Sequence, residues 1–216
     1  MKLFKTIITI LFLYSCGDDG PRCPGDIILP ITIDEYKSIY AIGDTITISS
    51  KFYKLIYDKK TDKMYDASKY SILPIINFFK LDTTYEYSTD SYINKYCIFI
   101  KQKGSNLNAE SSRKGSAIIG EYSLENDSLN FVCKLKLVQE GYFWIKIQSL
   151  TSGDSHLQNN YQFNCRGREI NFKLESPNID NIDLMKLLRN KGSNTFILSD
   201  SIQWFYNYAG YCLEVR

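Results

Sequence analysis

A chain of 216 residues, 44% hydrophobic and 23% charged, has the composition of an ordinary globular domain. That excludes wholesale disorder, collagen-like repeats and a bundle of membrane-spanning helices. Lys+Arg is 26 against 24 Asp+Glu, and Lys2 and Lys5 in the N-terminal segment account for the whole excess, since no acid lies in residues 1–15. Without that segment the chain is neutral, and it offers nucleic acid no charge-based attraction.

Residues 1–16 read MKLFKTIITILFLYSC. Lys2 and Lys5 form a short basic region. Ile7 to Leu13 is apolar except for Thr9, and is too short to span a bilayer, which takes about 20 apolar residues. This is the pattern of a secretory signal peptide. Its end, Leu13-Tyr14-Ser15-Cys16, resembles the bacterial lipobox: an aliphatic residue, a tolerant position, a small residue, then Cys. The resemblance implies cleavage before Cys16 and acylation of its thiol. Several acyl chains at one site anchor stably, where a single chain is marginal. The acidic pair Asp18-Asp19 just behind resembles the surface-export signal of Bacteroidota lipoproteins. Pro21 to Pro24 and Gly25 read as linker. The expected organisation is a leader over 1–15, a lipidated Cys16 with tether over 16–26, and one domain over 27–216. The expected location is the outer membrane, facing the cell exterior.

From Ile27 onward, alternation and β-branched or aromatic residues dominate. Thr45-Ile46-Thr47-Ile48-Ser49 places apolar and hydroxyl residues on opposite faces, with Gly43 suited to the turn before it. Tyr70 to Phe79 is a second apolar run, where Pro74 suggests an edge strand or a bulge. Tyr96 to Lys101 and Ser116 to Tyr122 are further strands. Asn130 to Leu150 reads as a hairpin: Phe131, Cys133, Leu135 and Leu137 share one face, Lys134 and Lys136 the other, and Glu140-Gly141 makes the turn. Tyr161 to Leu174 contains another strand or pair. Ile182, Met185 and Leu188 at spacings of three predict a helix over 180–190, capped by Asp180 or Asn181. A second short helix is expected over 200–209, ended by Gly210, followed by a terminal strand from Tyr211 to Val215.

Many short strands between turns predict a mainly-β sandwich with one or two short C-terminal helices. Gly43-Asp44-Thr45-Ile46 resembles the opening of the second strand of immunoglobulin-like domains. Glu140-Gly141-Tyr142-Phe143-Trp144 resembles the stretch that leads into their sixth. The paired cysteines and central tryptophan of antibody domains are not in their places. The layout also resembles a group of Bacteroidota lipoproteins with an early GDTI strand, a later GYF strand and an aromatic C-terminal strand.

Six cysteines are present: Cys16, Cys23, Cys97, Cys133, Cys165 and Cys212. With Cys16 lipidated, five remain, and export permits disulfides. Strand phase suggests Cys133–Cys165, both on apolar phases, and Cys97–Cys212, whose phases they share with Lys95 and Lys101, and with Glu214 and Arg216. The other reading is buried thiols acting as small apolar residues. Without Cys-x-x-Cys, and with one histidine, no metal site is expected.

No catalytic set is visible. His156 lies in a polar loop, and Asp154-Ser155-His156 is not a triad, whose members the fold brings together. Acids occur in pairs (Asp58 and Asp62, Asp82 and Glu86, Glu125 and Asp127). A carboxylate-driven envelope hydrolase would need two of them to converge in a cleft. The Asp82–Asp90 stretch lacks the glycine and spacing of an EF-hand loop. No cofactor is implied. Trp204-Phe205-Tyr206, with Tyr208 and Tyr211, is the strongest candidate for an exposed aromatic cluster. Asp82-Thr83-Thr84 and Asp127-Ser128-Leu129 resemble the Bacteroidota O-glycosylation motif, with Thr83 and Ser128 the preferred acceptors. The expected role is a non-catalytic, membrane-anchored binding or structural module, with a glycan or protein as the possible ligand. The alternatives are the hydrolase and an accessory or inhibitor subunit of an envelope complex.

Overall fold

The structure is a computed structural model that describes residues 27–69, 72–82, 93–100, 107–112, 115–149, 170–175, 181–190, 205 and 209–216. In chain order the strands are β1 Ile27–Asp34, β2 Ile39–Tyr40, β3 Thr45–Tyr53, β4 Leu55–Asp58, β5 Lys63–Asp66, β6 Pro74–Lys80, β7 Cys97–Ile100, β8 Leu107–Ser112, β9 Gly115–Gly120, β10 Ser123–Glu125, β11 Ser128–Leu137, β12 Gly141–Ser149, β13 Ile170–Leu174 and β14 Ala209–Val215. Helix α1 is the short Ile93–Tyr96, helix α2 is Ile182–Asn190, and Ala67–Lys69 forms a 3₁₀ turn.

The strands form two sheets and a separate β4–β5 hairpin. The first sheet runs β10-β11-β3-β1-β13, with β7 beside the second half of β11. The second runs β2-β14-β12-β6-β9-β8. In immunoglobulin-like terms β1, β3, β11 and β10 occupy places A, B, E and D, while β6, β12 and β14 occupy C, F and G. The mainly-β sandwich is therefore present, and both local resemblances fall where they should. Gly43-Asp44-Thr45-Ile46 opens the second of these strands, and Gly141-Tyr142-Phe143 opens the sixth. Among the additions to that frame are the β4–β5 hairpin, strand β13 parallel to β1, and α2.

Alternation explains the first layer. β11 buries Leu129, Phe131, Cys133, Leu135 and Leu137 and turns Lys134 and Lys136 outward. Ile46 and Ile48 of β3, and Ile27 to Ile33 at every second position of β1, face the same core. The opposite sheet contributes Ile76, Phe78, Phe143, Ile145, Ile147, Tyr211 and Leu213. Each such side chain, fully buried, contributes about 1.5–3 kcal/mol. A second cluster lies on the outer face of the second sheet. There Trp144, Cys212 and Leu81 pack under Ile182, Met185 and Leu188 of α2 and under Phe205. β12 is apolar on both faces because it carries both clusters, which is why Tyr142 to Ile147 reads as an almost unbroken run.

Four expectations are corrected. β11 and β12 are not a hairpin: β11 pairs with β3, β7 and β10, and β12 pairs with β6 and β14, so Val138 to Glu140 crosses between sheets. Two strands facing one core from opposite sheets show the same phases as a hairpin. Pro74 is on neither an edge strand nor a bulge. It is the first residue of β6, between β12 and β9, a place where a missing N–H is tolerated. Gly210 does not end a helix. It lies within β14, and a Cβ there would stand 2.7 Å from the Phe205 ring. The Cys97–Cys212 bridge is absent, and neither sulfur is in a disulfide. Cys97 sits in the core between the sheets and Cys212 in the outer cluster. The phase argument failed at Cys97 because Lys95 belongs to α1, so strand alternation does not run through it. It failed at Cys212 because α2 covers the face that was taken for solvent.

Candidate functional site

Among the described residues, the acids of the expected pairs hold turns together and no two of one pair converge in a cleft. Asp58 is buried and accepts the Thr61 N–H at 2.9 Å together with its hydroxyl. Asp62 accepts the Tyr57 hydroxyl at 2.6 Å. Asp127 binds Lys54 Nζ at 2.6 Å, and Asp82 lies 3.8 Å from Lys80. Glu86 lies outside the described residues. Among the described residues no group of three His, Cys, Asp or Glu gathers as a metal site.

The cysteines are equally inward. Cys97, Cys133 and Cys212 are buried and in no disulfide. Burial pushes the Cys133 thiol up to about 12 and raises that of Cys97 as well, so neither provides a thiolate nucleophile near neutral pH. Cys165, the expected partner of Cys133, lies outside the described residues. So do Cys16, Asp18, Asp19, Thr83 and His156. Ser128 opens β11 directly after the Asn126-Asp127 turn. It is half-buried and paired with Glu125 on one side and Tyr53 on the other.

The end of the sandwich where β1 leaves and β2 begins is built by tyrosine. Tyr211 rises from β14 through the core, and its hydroxyl donates to the Lys37 carbonyl and accepts the Lys37 N–H at 3.1 Å. The Tyr40 hydroxyl lies 3.1 Å from that of Tyr211 and donates to Glu35 O at 3.1 Å. Burial, and then the Tyr40 contact, raise the pKa of Tyr211, and burial raises that of Tyr40. Both stay protonated donors. Across the gap, Asn181 Nδ2 donates to Cys212 O at 2.9 Å and brings the start of α2 against β14.

These bonds shape an open groove of about 570 Å³ between edge strand β2 and α2. Ile39 and Leu187 line it at 40% and 49% exposure. Ile182 and Leu184 extend the apolar wall, and Asp183 and Glu214 supply its acids. The groove is open, its lining is divided evenly between apolar and polar side chains, and its volume falls in the range of ligand sites. Sequence reading missed it: Asn181 was marked only as a helix cap, Ser38 and Ile39 carry no local signal, and the three meet only through the tertiary fold. The expected aromatic cluster is not a surface at its described positions, since Phe205 and Tyr211 are both buried; Trp204, Tyr206 and Tyr208 lie outside them. Among the described residues the exposed tyrosines are Tyr53, at the end of β3, and Tyr57 in the β4–β5 hairpin.

No family model matches the chain and no curated protein does. Among solved structures, a type II cohesin domain from the cellulosome of Acetivibrio cellulolyticus is similar over 60% of this chain and 78% of its own, at 15% identity and a TM-score of 0.29. A type II cohesin dyad from an adaptor scaffoldin of the same organism gives 15% identity and a TM-score of 0.29, and the chain spans 39% of its length. A group B streptococcus pilus 2b backbone protein gives 12% identity and a TM-score of 0.25, over 57% of this chain and 53% of its own. At such scores the likeness is local, and the fold assignment rests on the strand order itself.

Proposed function

We propose that the chain is a lipid-anchored, non-catalytic binding module of the cell envelope. The leader 1–15 is removed, Cys16 carries the lipid, residues 16–26 tether the domain, and Asp18-Asp19 direct it to the outer face of the outer membrane. The observation that carries the binding reading is the groove between β2 and α2. It presents half-exposed Ile39 and Leu187, while the described acid pairs, thiols and buried tyrosines are engaged in holding the fold. Its partner is a protein or glycan with an apolar feature to seat between the strand edge and the helix. The groove lies at the end of the sandwich opposite Ile27, so a tethered domain points it away from the membrane.

Photo-crosslinking tests this directly. A benzoylphenylalanine replaces Leu187 in the native host, with the same residue at Lys136, on the outer face of the first sheet, as the comparison. A discrete adduct at 187 that disappears with Ile39→Asp is the expected result. Equal adducts at both positions, or none at 187, would rule out the groove as the binding site.

A further inference from the structure

The chain enters the sandwich at one end, and that end carries an unusual hairpin. β1 begins where β3 finishes, because their antiparallel register sets Thr32 against Ser49 and Asp34 against Thr47. The Asn126-Asp127 turn is at the same end, with Ser128 facing Tyr53. The β4–β5 hairpin leaves β3 there through Lys54, which is held at three points. Its N–H donates to Asp127 O at 2.8 Å, its carbonyl accepts the Ala67 N–H at 2.7 Å, and its Nζ pairs with Asp127.

The hairpin treats its two signs of charge differently. All three of its acids have local donors: Asp58 binds Thr61, Asp62 binds the Tyr57 hydroxyl, and Asp66 binds the Ser68 N–H at 3.1 Å and its hydroxyl at 2.6 Å. Lys59, Lys60 and Lys63 at the tip are exposed and form no ion pair among the described residues. Beside them Tyr57 and Met64 face each other across the two strands, 53% and 54% exposed. The Asp62 bond holds the Tyr57 ring in place. Tyr53 and Ile28 are exposed at the same end.

We infer that this hairpin is a membrane-contact element, seated on the anionic lipid surface to which the chain is tethered. The inference rests on the proposed acylation of Cys16. Ten residues separate Cys16 from Ile27, and fully extended they reach at most about 35 Å. The end bearing the hairpin is therefore the end held near the bilayer. An apolar Met and an amphipathic Tyr suit the headgroup boundary. Lysines without acid partners suit anionic headgroups. Two attachments, acyl chains and hairpin, would fix the domain's orientation and present the groove outward.

Lysine footprinting tests it without any substitution. The lipidated mature chain is reconstituted into vesicles of phosphatidylethanolamine with phosphatidylglycerol, or of phosphatidylcholine alone. It is then treated with a membrane-impermeant amine-acylating reagent and read by peptide mass spectrometry. Labelling of Lys59, Lys60 and Lys63 should fall roughly fivefold in the anionic vesicles relative to the neutral ones, with Lys136 unchanged. Salt on the order of 0.5 M should restore it. Equal labelling in the two vesicles would overturn the proposal and leave the hairpin to a protein or glycan partner. The same spectra show whether Cys16 is acylated. Loss of acylation removes the anchor reading and this inference together, whereas acylation with equal labelling removes this inference alone.

Discussion

Tyr211 shows how much of this molecule is decided by single hydroxyls. Its ring is fully buried among core residues, and its oxygen organises both backbone groups of Lys37 and the Tyr40 hydroxyl. Tyr211→Phe leaves those groups without their partner and should cost about 1–3 kcal/mol, read as a lower denaturant midpoint at unchanged slope. Lys146 gives a pH signature. It lies on β12 between hydrophobic neighbours, and burial holds its ammonium down at about 8 against an ordinary 10.5. Between those values the unfolded chain carries the extra proton, so the contribution of this one group to stability rises with pH from about 8. Above about 10 the buried tyrosines, whose pKa values are raised, work in the opposite sense. The Cys97 and Cys133 thiols, also held up by burial, oppose it over the same range, so between pH 8 and 9.5 the denaturation midpoint should change more favourably in the wild type than in Lys146→Met; an equal change in both would assign the difference to another group. The thiols should behave as core atoms. Native protein at pH 8 should resist alkylation at Cys97, Cys133 and Cys212, and react at all three once unfolded.

At the scale of elements, the backbone is strained where the sequence marks it. Gly141 starts β12 at a φ of 139°, and a Cβ there would approach Lys80 Cε to 2.7 Å and an Asp82 oxygen to 3.1 Å. Gly141→Ala should cost about 1–3 kcal/mol, measured by thermal or denaturant unfolding; an unchanged midpoint would show that the arch relaxes freely. Asn126 and Asp127 both take positive φ, 47° and 63°, as a two-residue type I′ hairpin turn needs. Strands with one buried face were legible, because Ile46, Ile48 and the odd positions of β11 alternate cleanly. So were the helix at Ile182–Asn190 and both immunoglobulin-like stretches. Pairing was not legible. Phase tells which residues face the core but not from which sheet, so the β11–β12 arch read as a hairpin. Nor was the outer cluster: Cys212 and Trp144 follow strand alternation correctly, but the face they point to is covered by α2. The groove was beyond reach for the same reason, since Ile39 and Leu187 are 148 positions apart in the chain.

For the whole molecule, the fold separates two ends. The end entered by Ile27 carries the lysine-tipped hairpin, and the opposite end carries the groove. With the proposed acylation of Cys16, a sandwich built this way would serve as a spacer that presents the groove. Asp58 and Asp62 are held by donors of the hairpin turn and Asp127 by Lys54, so these members of the acid pairs serve the fold. The most direct measurement is protease shaving of intact native cells, comparing wild type with Asp18→Ala/Asp19→Ala and using an antibody to the domain. Digestion of the wild type in intact cells and protection of the double variant is the expected result, and it would send the search for a partner outside the cell. Wild type that survives on intact cells and is cut only after lysis would contradict the surface-anchored module and turn the groove toward the periplasm.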